Sequence, residues 1–146
     1  MRMGFRAVLS AAAVVGIATW ACAGTPGPGD PEYPFNLSGS YAGEIYVEGM
    51  SFSLEMDLRT RPGGEFGGTY AVTSPVSMTG DVSGTLAADT AVFSLAYVNP
   101  MDGCGGTLNG TGTVSAGADE FAGRVRVNDD CNGYLSGTFS TRKRTR

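Results

Sequence analysis

Residues 37–73 read LSGSYAGEIYVEGMSFSLEMDLRTRPGGEFGGTYAVT, and two patterns in this stretch decide the fold. The first is a five-residue motif: an apolar residue, a small one, Gly, a small or polar one, and another apolar one. Leu37-Ser38-Gly39-Ser40-Tyr41 and Phe66-Gly67-Gly68-Thr69-Tyr70 carry it here. It recurs at Val82–Leu86, Phe121–Val125 and Leu135–Phe139, with a degenerate copy at Leu108–Gly112. The second pattern is the strict alternation Phe52, Leu54, Met56, Leu58, which fills the gap between the first two copies. Phe93, Leu95 and Tyr97 fill the other wide gap in the same way. Units of roughly 14 residues result, the length of a strand plus a tight turn. The breaks carry turn chemistry: Glu48-Gly49, Arg61-Pro62-Gly63-Gly64, Ala88-Asp89, Asn99-Pro100-Met101-Asp102-Gly103 and Asn132-Gly133.

Alternate residues of a strand point to opposite faces, so the pattern assigns an inside and an outside. One phase holds Leu37, Tyr41, Ile45, Leu54, Phe66 and Tyr70, and further along Phe93, Leu108, Phe121, Val125, Val127 and Phe139. This set contains no charge. The other phase holds Glu44, Glu48, Glu55, Asp57, Arg59, Glu65, Asp81, Arg124 and Arg126. Segregation of this kind over eight short-looped strands predicts an all-β fold, an antiparallel up-and-down meander whose closure into a barrel removes exposed edges. The barrel is expected over 37–141, with a short basic tail over 142–146. Mid-strand glycines on the apolar face, Gly80, Gly84, Gly106 and Gly110 among them, have two readings. They leave room for rings packed inside, or they leave a cavity.

The chain begins MRMGFRAVLSAAAVVGIATWACA. Arg2 and Arg6 precede an apolar run too short for a stable bilayer span, followed by small residues, which is the form of a secretory signal. Thr19-Trp20-Ala21-Cys22 resembles the lipobox of bacterial lipoproteins. The resemblance implies a signal peptide over 1–21, lipidation of Cys22, and attachment to the membrane through that lipid. The rival is an A-x-A site, Ala21-Cys22-Ala23, whose cleavage after Ala23 would release a soluble protein. Residues 24–34, GTPGPGDPEYP, cannot hold a helix or a central strand, and 22–36 is expected as a flexible tether.

Composition excludes several functions. The chain has 10 basic and 14 acidic residues and no His. Loss of Arg2 and Arg6 with the signal leaves 8 basic residues, half of them in the last five positions. No basic surface for nucleic acid results. Nucleophilic catalysis lacks a base, since His is absent and the only Lys is Lys143. The carboxylate pairs Asp119-Glu120 and Asp129-Asp130 fall at turns and are expected as solvated turn residues. Asn128-Asp129-Asp130 lacks the spacing of an EF-hand calcium loop. No enzyme, cofactor or metal is therefore expected. Cys104 and Cys131 fall in the fifth and seventh turns, which share one end of a meander, and export favours a disulfide between them.

Tyr41, Tyr70 and Tyr97 belong to the apolar phase, yet each hydroxyl needs a partner if buried. They are either core residues pointing to a rim or polar handles in a ligand pocket. Gly39-Ser40-Tyr41 and Gly68-Thr69-Tyr70 resemble the opening hairpins of the avidin/streptavidin-like barrels, within the wider lipocalin-like group. The resemblance implies a small ligand held inside the barrel, with Tyr70 matching a pocket tyrosine. It does not extend to biotin: Ala42-Gly43-Glu44 and Val72 replace the polar pocket residues, and the only Trp, Trp20, lies in the signal. The expectation is a non-enzymatic lipoprotein of the bacterial outer membrane, facing periplasm or exterior, whose barrel binds a small apolar ligand. Two alternatives stand beside it. One is a filled barrel serving as a structural or interaction module. The other is a small integral outer-membrane barrel with its apolar face outward.

Overall fold

The computed structural model describes residues 24–145. The signal peptide, Cys22 and the rival cleavage site lie outside the described residues. Eight strands follow in order: β1 (Gly39–Val47), β2 (Met50–Thr60), β3 (Glu65–Ser74), β4 (Met78–Ala87), β5 (Thr90–Val98), β6 (Gly105–Val114), β7 (Glu120–Asp129) and β8 (Gly133–Lys143). Each pairs antiparallel with the next, and β8 returns to β1 with Val47 opposite Gly137 and Tyr41 opposite Lys143. The sheet is a closed up-and-down barrel, as the motif spacing predicts. Closure leaves no unpaired edge.

The turns follow from their residues. Glu48 and Gly49 both have positive φ, at 46° and 85°, in the two-residue loop that joins Val47 to Met50. That is the backbone a type I′ hairpin requires, and it matches the twist of its strands. Between β7 and β8 a three-residue loop, 130–132, leads into Gly133, with φ at 76°.

The apolar phase points inward. Leu37, Tyr41, Leu54, Met56, Phe121 and Val125 are almost wholly buried, whereas Glu44, Asp57, Arg124 and Arg126 lie exposed outside. An integral membrane barrel needs the reverse arrangement, an apolar band facing lipid. The outer wall of this barrel carries the charges, so that alternative is corrected.

The barrel has a closed end and an open end. Beneath the closed end run the β2–β3, β4–β5 and β6–β7 turns and the segments before β1 and after β8 among the described residues. Here Phe93, Phe121 and Phe139 form edge-to-face pairs with centroids 4.8–5.7 Å apart, and Tyr41 adds a fourth ring 6.5 Å from Phe121. Edge-to-face packing sets each ring's positive edge against its neighbour's negative face. Gly110 is where Phe93 fits, because a Cβ at that position would overlap the ring.

Two expected boundaries change. Arg142 and Lys143, assigned to the tail by their charge, belong to β8 and pair with Ala42 and Tyr41. The alternation continues through them, because Thr141 is inward and buried while Arg142 points out. The Gly/Pro-rich segment holds no strand, but its second half is not extended. A turn joins Asp30 N–H to Gly27 O, the Tyr33 hydroxyl donates to Ala88 O, and Tyr33 and Phe35 pack against the core. These rings cover apolar surface that the closed end would otherwise expose.

Candidate functional site: the open half of the barrel

The β1–β2, β3–β4, β5–β6 and β7–β8 turns ring the open end. Cys104 and Cys131 are joined there by a disulfide, with 5.8 Å between their Cα atoms. It ties the β5–β6 turn to the β7–β8 turn. Closing the intervening loop stabilises the fold by roughly 2–4 kcal/mol through the unfolded chain.

Below this rim the large rings stop and a cavity of about 220 Å³ opens. Every strand contributes to its wall. Ile45, Val72, Leu95, Leu108 and Val127 line its sides, with Phe52, Met78 and Leu135 half-buried among them. An apolar cavity of about 150 Å³ already admits benzene. The space therefore suits one ring with a short substituent. The inner glycines take the first reading in both halves: a Cβ at Gly84 or Gly110 would meet a Phe ring and one at Gly80 or Gly106 a Tyr ring, and no glycine lines the cavity.

Two of the three predicted tyrosines meet in this cavity. Tyr70 and Tyr97 line it, whereas Tyr41 lies in the closed half and donates to Ala118 O at 2.9 Å. Tyr70 and Tyr97 share one geometry. Tyr70 on β3 crosses Gly80 on β4, and its hydroxyl reaches Ala96 O on β5 at 2.7 Å. Tyr97 on β5 crosses Gly106 on β6, and its hydroxyl donates to Asp129 Oδ2 on β7. A Cβ at Gly106 would stand 2.7 Å from the Tyr97 oxygen, so only glycine leaves the path open.

Asp129 is a site residue that turn chemistry alone misassigns. Expected to be solvated, it is buried at 8% exposure and turned inward. The signal was present: the inward phase Phe121, Gly123, Val125, Val127 continues to Asp129. Its Oδ1 accepts from the backbone N–H of Cys131 and of Asn132 and from the Asn132 side chain, at 2.9, 2.9 and 3.0 Å. The Tyr97 hydroxyl, followed by these amide donors, holds the carboxyl below its ordinary range. Burial pushes the Tyr97 phenol up, aided by the hydrogen bond to Asp129 and by the charges of Asp129, Asp130 and Asp102. Burial also raises Tyr70, with a smaller contribution from Asp81. Tyr41 is pushed up to about 12 by burial and then by Asp119. All three tyrosines are neutral donors at physiological pH.

Cys104, Asp129 and Cys131 bring their ligand atoms within 4.8 Å of one another. The two sulfurs are bonded to each other, and a metal is bound by thiolates. In this state the trio offers one carboxylate, whose oxygens are already engaged by hydrogen bonds. The other carboxylate pair, Asp119-Glu120, lies exposed at the closed end, where Glu120 pairs with Arg142 at 2.9 Å.

No protein family matches the chain, and no curated protein does. A solved structure described as a redesigned β-barrel, mFAP1, bound to DFHBI is similar in fold, with a TM-score of 0.53. The match spans 74% of this chain and 94% of that one at 17% identity. The likeness concerns the fold alone. Fold and cavity together define the class: an eight-stranded antiparallel barrel with one end filled and one end open.

Proposed function

We propose that the protein is a non-enzymatic lipoprotein of the bacterial envelope, anchored through Cys22, that holds a small apolar ligand in the open half of its barrel. One observation carries the binding part: the apolar cavity of about 220 Å³ to which all eight strands contribute. A fold under no demand for a ligand gains by filling such a space, since each missing contact costs packing energy. The similar barrel described as bound to DFHBI supports the reading, as a barrel of this kind that takes a small molecule. Support for the anchor comes from the lipobox resemblance and from a disulfide suited to an oxidising compartment. Native mass spectrometry of protein purified from its host tests the binding. A small molecule that leaves on collisional activation supports it, and a bare polypeptide mass sinks it. The same spectrum weighs the N-terminus: a diacylglyceryl-modified Cys22 supports attachment, and a chain starting at Gly24 refutes it.

A second reading has its own observation. Tyr46, Met50, Val98, Met101 and Tyr134 are large apolar side chains exposed by more than half, and all lie on or beside the turns of the open end. Such a ring suits an interaction module that packs its rim against a partner. Replacing Met101 and Tyr134 by Ser would then abolish complex formation and leave ligand content unchanged.

A further inference from the structure

We infer that the open half selects an amphipathic cation, an apolar body of about one ring carrying a protonated amine. The inference rests on the ligand-binding reading and adds the charge of the ligand.

The apolar walls specify the body of the ligand, and the rim specifies its head. Glu48, Asp102 and Asp129 all line the cavity at its mouth, and Asp130 stands beside them in the β7–β8 turn. The four turns of this end contain no Arg or Lys. The described basic residues lie elsewhere: Arg124 and Arg126 on the outer wall, and Arg59, Arg61, Arg142, Lys143 and Arg144 at the closed end. The two ion pairs among the described residues join Arg142 to Glu120 and Arg144 to Glu55, so neither neutralises the mouth.

The mouth carboxylates are held in place. Asp129 is fixed by Tyr97 and three amide donors and stays ionised because of them. Glu48 Oε1 accepts from Ser136 N–H at 3.3 Å, and Asp102 Oδ1 accepts from Cys104 N–H at 2.9 Å. Each has a second oxygen without a hydrogen-bond partner among the described residues. A rim of one sign above a low-dielectric wall focuses its field into the opening. It attracts a cationic head, repels an anion, and leaves a neutral molecule with the apolar contribution alone. An amine seated this way keeps its ring dry and its charge at the water boundary, which avoids the cost of burying an unpaired ion.

Calorimetric titration of the processed, disulfide-bonded protein with three probes of one shape tests this: 2-phenylethylamine, 2-phenylethanol and phenylacetate. The amine should bind about tenfold or more tighter than the alcohol, and phenylacetate should be weaker than both. In the double variant Glu48→Gln/Asp102→Asn, which leaves Asp129 untouched, the preference for the amine should shrink while the affinity for the alcohol stays. Equal affinities for amine and alcohol in the parent chain, tighter binding of phenylacetate, or an amine preference unchanged in the variant would each overturn the cation inference while ligand binding stands. No binding of the amine or of the neutral alcohol would instead remove the ligand-binding reading and this inference with it.

Discussion

The phenol of Tyr97 spans the width of β6, passing over Gly106, to donate a hydrogen bond to the carboxylate of Asp129. This bond joins β5 to β7 and organises the rim, because the same carboxylate caps the turn that carries Cys131. Removal of the hydroxyl in Tyr97→Phe leaves a buried acceptor short of one donor. The expected loss is about 1–3 kcal/mol, read from the urea midpoint. Carbon-detected NMR titration should show the Asp129 pKa rising towards the ordinary carboxylate value in the same variant.

The pH dependence of stability follows with its sign. Asp129 has a folded pKa below its unfolded value, so its contribution is complete above the unfolded value, about 3.9. It disappears as pH falls through the folded pKa. Asp129→Asn should therefore be less stable than the parent at pH 6, with the difference shrinking once pH falls below about 3.9. Urea unfolding of both chains at pH 6, 4 and 3 measures this, and a difference independent of pH would exclude the assignment.

Gly110 exists to admit the Phe93 ring, since a Cβ there overlaps it. Gly110→Ala should cost about 1–3 kcal/mol through overpacking. Phe93→Leu costs stability on its own, but the two changes together should cost less than their sum. A double-mutant cycle from chemical denaturation reads the coupling.

How much of this was legible in the sequence depends on the distance over which the signal acts. The strands were readable because alternation and turn residues are local, and Gly39-Ser40-Tyr41 or Asn132-Gly133 announce their own geometry. The disulfide was readable because a meander fixes which turns share an end. The two halves of the barrel were not. Tyr41 and Tyr70 stand in the same motif at the same phase, yet one ends in the closed half against Ala118 and the other in the open half. Position along the barrel axis comes from the stagger between strands, which no single repeat encodes. Asp129 was missed because its turn position outweighed its inward phase. The Arg142–Lys143 pair was missed because charge hid a continuing strand.

Reduction of the disulfide separates rim from core. Cys104→Ser/Cys131→Ser should lower stability by roughly 2–4 kcal/mol and leave the far-ultraviolet circular dichroism of the barrel unchanged at 25 °C. The aromatic cluster of Phe93, Phe121 and Phe139 lies in the other half and does not depend on the bond. Amide exchange should accordingly rise in the β5–β6 and β7–β8 turns before it rises at the closed end.

On the proposed function, the open half of the barrel takes the ligand and the closed half takes none. Methyl NMR of the processed protein during titration with 2-phenylethanol, an uncharged probe, tests it most directly. Shifts should be confined to the methyls that line the cavity, those of Ile45, Val72, Met78, Leu95, Leu108, Val127 and Leu135 among them. Leu37, Leu86 and Val114, buried at the closed end, should stay still. A spectrum unchanged to millimolar probe, or one whose shifts map to the exposed Val92 on the outer wall, would rule out a ligand site in the open half.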